Sequence, residues 1–254
     1  MSVLKDRASI LFIILGGFFV TNALLAEFIG VKLFSVEATL GFESLNLSLF
    51  GETGLGFNMT AGVLLWPVVF IFTDVLNEYY GNRGVRLLSF LTVGLIAYGF
   101  IMVYIAMSVA PASFWVGSKV DEGVPNMDLA FNAIFGQGLR IIVGSICAFL
   151  VGQLVDVWVF QKIRKATGEK RLWLRATGST LVSQLVDSYV VLFIAFAGQF
   201  STVQILAFGL VAYVYKFVVA IASTPIIYLA HTGIERYLGK ETARKMASEA
   251  AAGS

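Results

Sequence analysis

The stretch Thr73-Asp74-Val-Leu-Asn77-Glu78 places three polar side chains at the end of an otherwise apolar run. Asp74 and Glu78 are four residues apart and Asp74 and Asn77 three, so a helix presents all three on one face. Carboxylates are costly against lipid. The pattern therefore indicates side chains that face a protein interior or a water-filled cavity, or else a pair of helix-end carboxylates at the lipid headgroups.

Two later apolar runs carry a second group of polar residues, because each contains the tetrapeptide Gln-Leu-Val-Asp. The copies extend from Gln153 to Asp156 and from Gln184 to Asp187, and in each copy the Gln and the Asp share a helix face. The two runs are expected to lie antiparallel, so the copies can face each other. A central position in the membrane makes Asp187 the strongest candidate to line a polar cavity.

Single polar residues in other apolar runs complete the set. Asn22 lies near the middle of the first run. Its side chain could form an interhelical hydrogen bond or contact a ligand, and the sequence does not decide between these roles. Lys216 lies near the centre of the last run, and a lone ammonium there needs an acidic partner from the second or fifth run. Thr180 continues the polar stripe of Gln184 and Asp187 at helical spacing.

Other ionisable side chains have a plainer interpretation. Glu27 lies near the outer end of the first run and is expected to be solvated, and His231 is expected at the surface. Asp156 lies nearer the other end of its run, so an interfacial role is as open as a cavity role. Cys147 is the only cysteine, which excludes an internal disulfide and a Cys-based zinc site.

The composition indicates that lipid is the main solvent of the chain. Of its 254 residues 58% are hydrophobic and 13% charged, whereas a soluble domain carries roughly 25% charged residues. We predict an all-α polytopic membrane protein with one integral-membrane domain over residues 1–254. Its six spans are predicted at about 8–30, 60–80, 86–110, 133–160, 176–199 and 203–231. The tail, 232–254, is expected to fray over its last eight residues.

The placement of basic residues predicts the orientation of the spans. Lys and Arg cluster before the first span and after the second, fourth and sixth, whereas the other connections are mainly acidic. The positive-inside rule then puts both termini in the cytoplasm, with the first span uncleaved. In the first outer loop the alternation over residues 44–49 favours a short strand or a segment lying on the membrane. Gly51, Gly54 and Gly56 favour a turn after it, and we expect this loop to be a structural cover.

The polar set suits a planar, nitrogen-rich ligand. Carboxylates and amides accept hydrogen bonds from planar N–H groups, and aromatic side chains such as Trp66 and Tyr189 can stack on a flat ring. A purine-like base and a cationic vitamin or metabolite both satisfy this description. The chain lacks the sequence motifs of hydrolases, phosphate-binding loops and metal sites, so we predict a protein that is not an enzyme and needs no cofactor or metal.

Several motifs together resemble one family. They are Trp66-Pro67 with Thr73-Asp74-Val-Leu-Asn77-Glu78-Tyr-Tyr-Gly81, Gly152-Gln153-Leu-Val-Asp156-Val-Trp-Val-Phe160, Leu172 to Thr180, Ser183 to Ser188, and Tyr215-Lys216-Phe217 with Thr224-Pro225. In combination they resemble the queuosine precursor transporter family, which is grouped with the vitamin uptake transporters. The resemblance covers residues from about 10 to 232.

The resemblance implies import of a queuosine precursor across the bacterial inner membrane. The substrate would be a 7-deazaguanine, such as the 7-cyano or 7-aminomethyl form or the free base, salvaged for tRNA modification. The expected substrate-binding residues are Asn22, Asp74, Asn77, Glu78, Gln184, Asp187 and Lys216, with Gln153, Asp156, Trp66, Thr180 and Tyr189 as secondary candidates. The expected partners are the lipid bilayer and a small purine-like molecule, and no nucleic acid is expected. Assembly into a homo-oligomer is left open.

Two other classes of function remain open at this point. The chain could be a substrate-capturing membrane subunit for a vitamin or purine-like metabolite that works with a separate ATPase. It could also be a structural or assembly protein of the membrane. Uptake by the chain alone distinguishes the first of these from an importer, and a small-molecule flux that depends on Asp187 distinguishes the second.

Overall fold

The computed structural model describes residues 6–136, 138–168 and 171–252, in which long apolar helices predominate. The elements in chain order are α1 (Arg7–Ile29), β1 (Leu33–Ser35), α2 (Val36–Thr39), β2 (Leu47–Leu49), β3 (Glu52–Leu55), β4 (Asn58–Thr60), α3 (Trp66–Ser108), α4 (Ser113–Val116), α5 (Met127–Phe135), α6 (Leu139–Thr167), α7 (Leu172–Phe196), α8 (Thr202–Leu238) and α9 (Lys240–Ala252). Short 3₁₀ turns lie at Ala61–Leu64 and Val120–Glu122.

Within the described residues, five helical segments are long and apolar enough to cross a membrane. They are Arg7–Ile29, Trp66–Ser108, Met127–Thr167, Leu172–Phe196 and Thr202–Leu238. Large apolar side chains such as Phe18, Ile101 and Leu229 are more than half exposed on their outer faces, as expected where lipid replaces water. The prediction of an all-α polytopic membrane protein is confirmed at this level.

Helix α3 reverses its direction at Gly81, so it forms a hairpin of two helical segments. Gly81 has φ 66° and ψ −170°, a non-helical conformation inside 43 otherwise helical residues. The segments 66–80 and 82–108 both pack against α1. The contacts pair Phe18 with Phe72 and Ala8 with Tyr80 before the break, and Phe12 with Gly84 and Phe28 with Gly99 after it. The first segment is therefore antiparallel to α1 and the second parallel to it.

Replacing Gly81 should destabilise this hairpin. Its backbone conformation is nearly restricted to glycine, and an added Cβ would lie 3.1 Å from the carbonyl oxygen of Ala250. We expect Gly81→Ala to cost about 1–3 kcal/mol, measured by thermal unfolding in detergent. Gly94→Ala is the matched control in the same helix, because open space surrounds its added Cβ; it should be neutral or slightly stabilising. Equal stability of the two variants would contradict the strained turn.

Helices α6, α7 and α8 pack as an antiparallel series that positions the polar residues. Gly144 lies against Val191 near one end of the α6–α7 pair, and Gly152 lies against Asp187 at its middle. Their missing side chains let the two backbones approach closely, as small residues do in membrane helix pairs. On the other side of α7, the hydroxyls of Thr177 and Thr224 are 2.9 Å apart.

A small β-structure covers one end of the helices, and we call it the roof (residues 33–60). β1 pairs with β4 and β2 with β3, both antiparallel. Of the two alternatives predicted for residues 44–49, the structure has the short strand, at Leu47–Leu49. Gly51 and Gly54 have positive φ at and after the turn. The buried Glu37 carboxylate accepts the Phe57 N–H at 2.8 Å, a bond that holds the pKa of Glu37 below its usual value.

Two expectations about the opposite end of the molecule are wrong. The chain is helical to Ala252, so residues 247–252 do not fray; α9 packs beneath the break in α3, where Ala247 is buried. His231 is buried rather than at the surface, and its Nδ1 lies 3.0 Å from the Tyr79 hydroxyl. Both expectations failed for the same reason. Contacts between helices that are distant in the sequence cannot be predicted from the local pattern of polar and apolar residues.

Candidate functional site

A cavity of about 540 Å³ lies beneath the roof, between α1, α6, α7 and α8. Most of its wall is apolar and includes Phe196 and Phe208, with Trp66 at its deeper end. Asp187 and Lys216 supply charge, and a void of this size suits a small organic ligand. The cavity therefore has the shape and the chemistry of a small-molecule site.

Asp187 and Lys216 form an ion pair at the floor of this cavity. The Lys216 Nζ atom donates to Asp187 Oδ2 at 2.5 Å, and their side chains are only 14% and 12% exposed. The prediction that Lys216 pairs with an acid of the second or fifth predicted span is confirmed, and the partner is Asp187 of the fifth. Removal from bulk water strengthens the attraction between the charges, and it also makes either group costly to leave alone.

Glu27 lies in the wall of the same cavity, so the expectation that it is solvated is wrong. Its side chain is 8% exposed, and the Ser145 hydroxyl lies 2.6 Å from its carboxylate. The sequence reasoning treated Glu27 as a surface group because it stands near the end of the apolar run. The roof, which begins a few residues later at Leu33, covers this end and removes it from bulk water.

A second void of about 10 Å³ lies on the far side of Asp187 from the main cavity. Its polar wall consists of Gln153, Asp156, Ser183, Gln184 and Asp187. The two Gln-Leu-Val-Asp copies therefore face each other, as predicted. The Ser183 hydroxyl donates to Asp156 at 3.2 Å.

Asp74 and Asn77 lie deeper still and are almost completely buried, with exposures of 1% and 0%. No polar side-chain atom of either has a hydrogen-bond partner among the described residues. Thr73, beside them in α3, donates to the Gln153 side-chain oxygen at 3.3 Å. Of the two interpretations of this stretch, the structure supports side chains that face a protein interior rather than the lipid headgroups.

Glu78 lies at the α9 end of this series of buried polar side chains, which we call the polar column. Two arginines bind its carboxylate. Arg175 donates to its carboxylate at 2.7 Å and Arg164 at 3.4 Å. Arg164 also donates to the Ala247 carbonyl of α9 at 2.6 Å. The sequence reasoning singled out Glu78 as a ligand and used both arginines only to orient the chain. In the structure all three side chains are buried and form what we call the inner ion cluster (Glu78, Arg164 and Arg175).

The remaining candidates lie outside the two cavities or at their edges. The Asn22 amide donates to the Phe18 carbonyl of its own helix at 2.8 Å and lines neither cavity. The Tyr189 hydroxyl donates to the Leu206 carbonyl at 3.3 Å, on the α8 side of α7. Thr180 is buried one turn from Gln184. The structure therefore does not bring Asn22 and Tyr189 to the cavity.

These features define a class of protein. Long apolar helices surround a half-buried cavity whose charged floor continues as a column of buried polar side chains, an arrangement found in polytopic membrane transporters. Among the described residues, no group of three or more His, Cys, Asp or Glu side chains is placed to hold a metal ion.

Comparison with known proteins gives the family. Residues 60–230 match the family model described as "Putative vitamin uptake transporter". The chain belongs to this family of membrane transporters, which are not enzymes. The matched region contains the second void, the inner ion cluster and the ion pair at the cavity floor.

Curated relatives carry a more specific name. The chain is 34% identical to a "Probable queuosine precursor transporter" of Bacillus subtilis (strain 168), over 72% of this chain and 74% of that protein. It is 29% identical to the "Queuosine precursor transporter" of Escherichia coli (strain K12), over 66% of this chain and 70% of that protein. A Haemophilus influenzae relative is 28% identical over 70% of this chain and 71% of its own length. No solved structure matches the chain significantly.

Proposed function

We propose that this protein imports queuosine precursors, 7-deazaguanine bases, across the bacterial inner membrane for salvage into tRNA modification. The cavity with Asp187 and Lys216 at its floor carries the proposal on the structural side, and the names of the curated relatives supply the substrate. A cavity of about 540 Å³ is within the usual range for small-molecule sites.

The wall of the cavity suits a flat heterocycle. An ionised Asp187 has two acceptor oxygens, which match the adjacent ring N–H and amino group of a guanine-type edge. The Lys216 ammonium donates to a ring carbonyl oxygen, and Trp66, Phe196 or Phe208 offers a ring face for stacking. Burial makes these polar contacts selective, because an unmatched group on the ligand would stay unpaired in the site.

In this proposal Asp74, Asn77, Gln184, Gln153 and Asp156 lie beyond the bound base. They belong to the route along which the base passes when the cavity opens to the other side of the membrane. Glu78 belongs to the seal at the α9 end, since two arginines already pair with its Oε1 atom. Asn22 and Tyr189 are left out of the proposed contact set because they line neither cavity.

We further propose six membrane spans with both termini in the cytoplasm, the two segments of α3 forming spans two and three. The reversal at Gly81 and the clustering of Lys and Arg at the α9 end support this topology. Single cysteines introduced into a Cys147→Ser background test it. A cysteine in the roof should react with an impermeant maleimide added to intact cells, and one in α9 only after lysis. The opposite pattern would reject the orientation.

Uptake by the purified protein tests the function. Liposomes that contain only this chain should accumulate a labelled 7-deazaguanine precursor above protein-free liposomes, and excess unlabelled precursor should compete. Binding without uptake would instead favour a capture subunit that depends on an ATPase. Neither binding nor uptake would reject the proposed substrate.

A further inference from the structure

The void between the two Gln-Leu-Val-Asp copies is too small for a base and is the size of a single ion or water molecule. Its volume is about 10 Å³, near the minimum that holds one water. The polar groups in its wall are carboxylate, amide and hydroxyl side chains that supply oxygen atoms. Small hard cations prefer ligands of this kind.

Several of these oxygens lack a partner. Gln184 Oε1 and Asp156 Oδ2 are buried and have no hydrogen-bond partner among the described residues. Gln184 and Asp156 are 5% and 4% exposed, and both line the void. A buried acceptor without a donor is destabilising. Two such acceptors around one void require a species that meets both, which is either a cation or a water molecule.

The charge of the polar column is also unbalanced. Within the described residues from the cavity floor to the inner ion cluster, the acids are Asp74, Glu78, Asp156 and Asp187, and the bases are Arg164, Arg175 and Lys216. Four carboxylates thus face three cationic groups. One monovalent cation or one bound proton would neutralise the column, whereas a divalent ion would leave an excess of positive charge.

We propose that this void is a sodium site, formed where the two Gln-Leu-Val-Asp copies cross in α6 and α7. Asp156, Gln153, Gln184 and Ser183 supply ligand oxygens, and Asp187 joins the site to the substrate cavity because it lines both voids. Binding sodium beside Asp187 would fix the carboxylate that meets the substrate. The proposal deepens the proposed transport function and in its coupling role rests on it.

Sodium is favoured over the other monovalent candidates by size and ligand number. A single proton can satisfy one carboxylate oxygen, but it leaves the Gln184 acceptor without a donor. Potassium is larger than sodium and less suited to a void of this volume. Coupling-ion sites of membrane transporters also occur between packed helices, and this void lies between the packed helices α6 and α7.

Thermal unfolding of the purified protein in detergent tests the site without any transport assay. At constant ionic strength, NaCl at saturating concentration should raise Tm by about 5 °C relative to choline chloride, and KCl should raise it much less. Identical Tm values in the three salts would overturn the proposal.

Single substitutions test whether the sodium-dependent shift in Tm arises at this void. Gln184→Met removes a ligand oxygen without changing charge, and Asp156→Asn removes the carboxylate; each should abolish the sodium-dependent shift. Gln161→Met is the matched control, since Gln161 is a buried glutamine of α6 that does not line the void, and it should keep the shift. A shift that survives both site variants would overturn the assignment to this void.

Uptake separates this inference from the proposed function. Uptake that needs an inward sodium gradient supports both. Precursor uptake that is the same in sodium and choline media would reject the coupling and leave the import function standing. A sodium-dependent Tm that Gln184→Met loses, without any precursor uptake, would support the cation site and reject the proposed substrate.

Discussion

Liposomes that carry Asp187→Asn should accumulate labelled 7-deazaguanine precursor at least ~10-fold more slowly than wild type at subsaturating concentration. The substitution removes the charge from the carboxylate at the cavity floor. A hydrogen bond to a charged group contributes about 1.5–3 kcal/mol, which corresponds to a ~10–100-fold change in affinity. Uptake at the wild-type rate would show that Asp187 does not meet the substrate.

A second substitution, at the paired Lys216, distinguishes loss of a substrate contact from loss of stability. Asp187→Asn leaves the Lys216 ammonium without its partner, so some loss of stability is expected as well. The double variant Asp187→Asn with Lys216→Met removes both charges and should recover most of that stability while uptake stays low. Recovery of uptake in the double variant would mean that the pair is only structural.

A control for this series lies two residues away on the same helix. Tyr189→Phe removes a hydroxyl that donates to the Leu206 carbonyl outside the cavity. It should leave uptake within about twofold of wild type, because an exposed hydrogen bond contributes only ~1 kcal/mol or less. A large loss of uptake in this variant would mean that the substrate site extends towards α8.

Arg175→Met should be the most destabilising single substitution in the molecule. Arg175 is 2% exposed, donates to Glu78 at 2.7 Å and to the Gly168 carbonyl at 2.9 Å. Removing one partner of a buried ion pair costs about 3–5 kcal/mol, because the remaining charge stays buried. For a chain of this size the Tm should fall by roughly 10 °C, measured by intrinsic fluorescence in detergent.

An arginine near the start of the same helix serves as the reference. Arg171 is exposed at the beginning of α7, so Arg171→Met should change Tm by less than ~2 °C. The double variant Glu78→Gln with Arg175→Met should be no more stable than Arg175→Met alone, since Arg164 still pairs with Glu78 in the single variant and loses that partner in the double variant. Similar Tm values for Arg175→Met and Arg171→Met would contradict the inner ion cluster.

Local pattern predicted a large part of this architecture. Apolar runs indicated the membrane class, and helical spacing placed Gln184 and Asp187 on one face. The repeated tetrapeptide indicated that the copies in α6 and α7 would meet, and the rule that a buried ammonium needs an acid indicated the partner of Lys216. Each of these inferences depends on periodicity or on one strong electrostatic constraint, which a single sequence contains.

The remaining features depend on contacts between residues far apart in the chain. Glu78 meets Arg175 across 97 positions and Arg164 across 86, and neither separation has a local signature. Glu27 is buried because the roof folds over it, although its position predicts a solvated end. Arginines beside a membrane span indicate orientation in most chains, so their inward-facing role here was not foreseen.

The bond between Arg164 and the Ala247 carbonyl has a consequence for how the protein is made. Its acceptor follows Arg164 by 83 residues in the chain, so it leaves the ribosome well after α6 has been synthesised. The seal at the α9 end can therefore close only after α9 has been synthesised. A chain released early, before α9, would be inserted with all its apolar helices and still lack the partner that completes this closure.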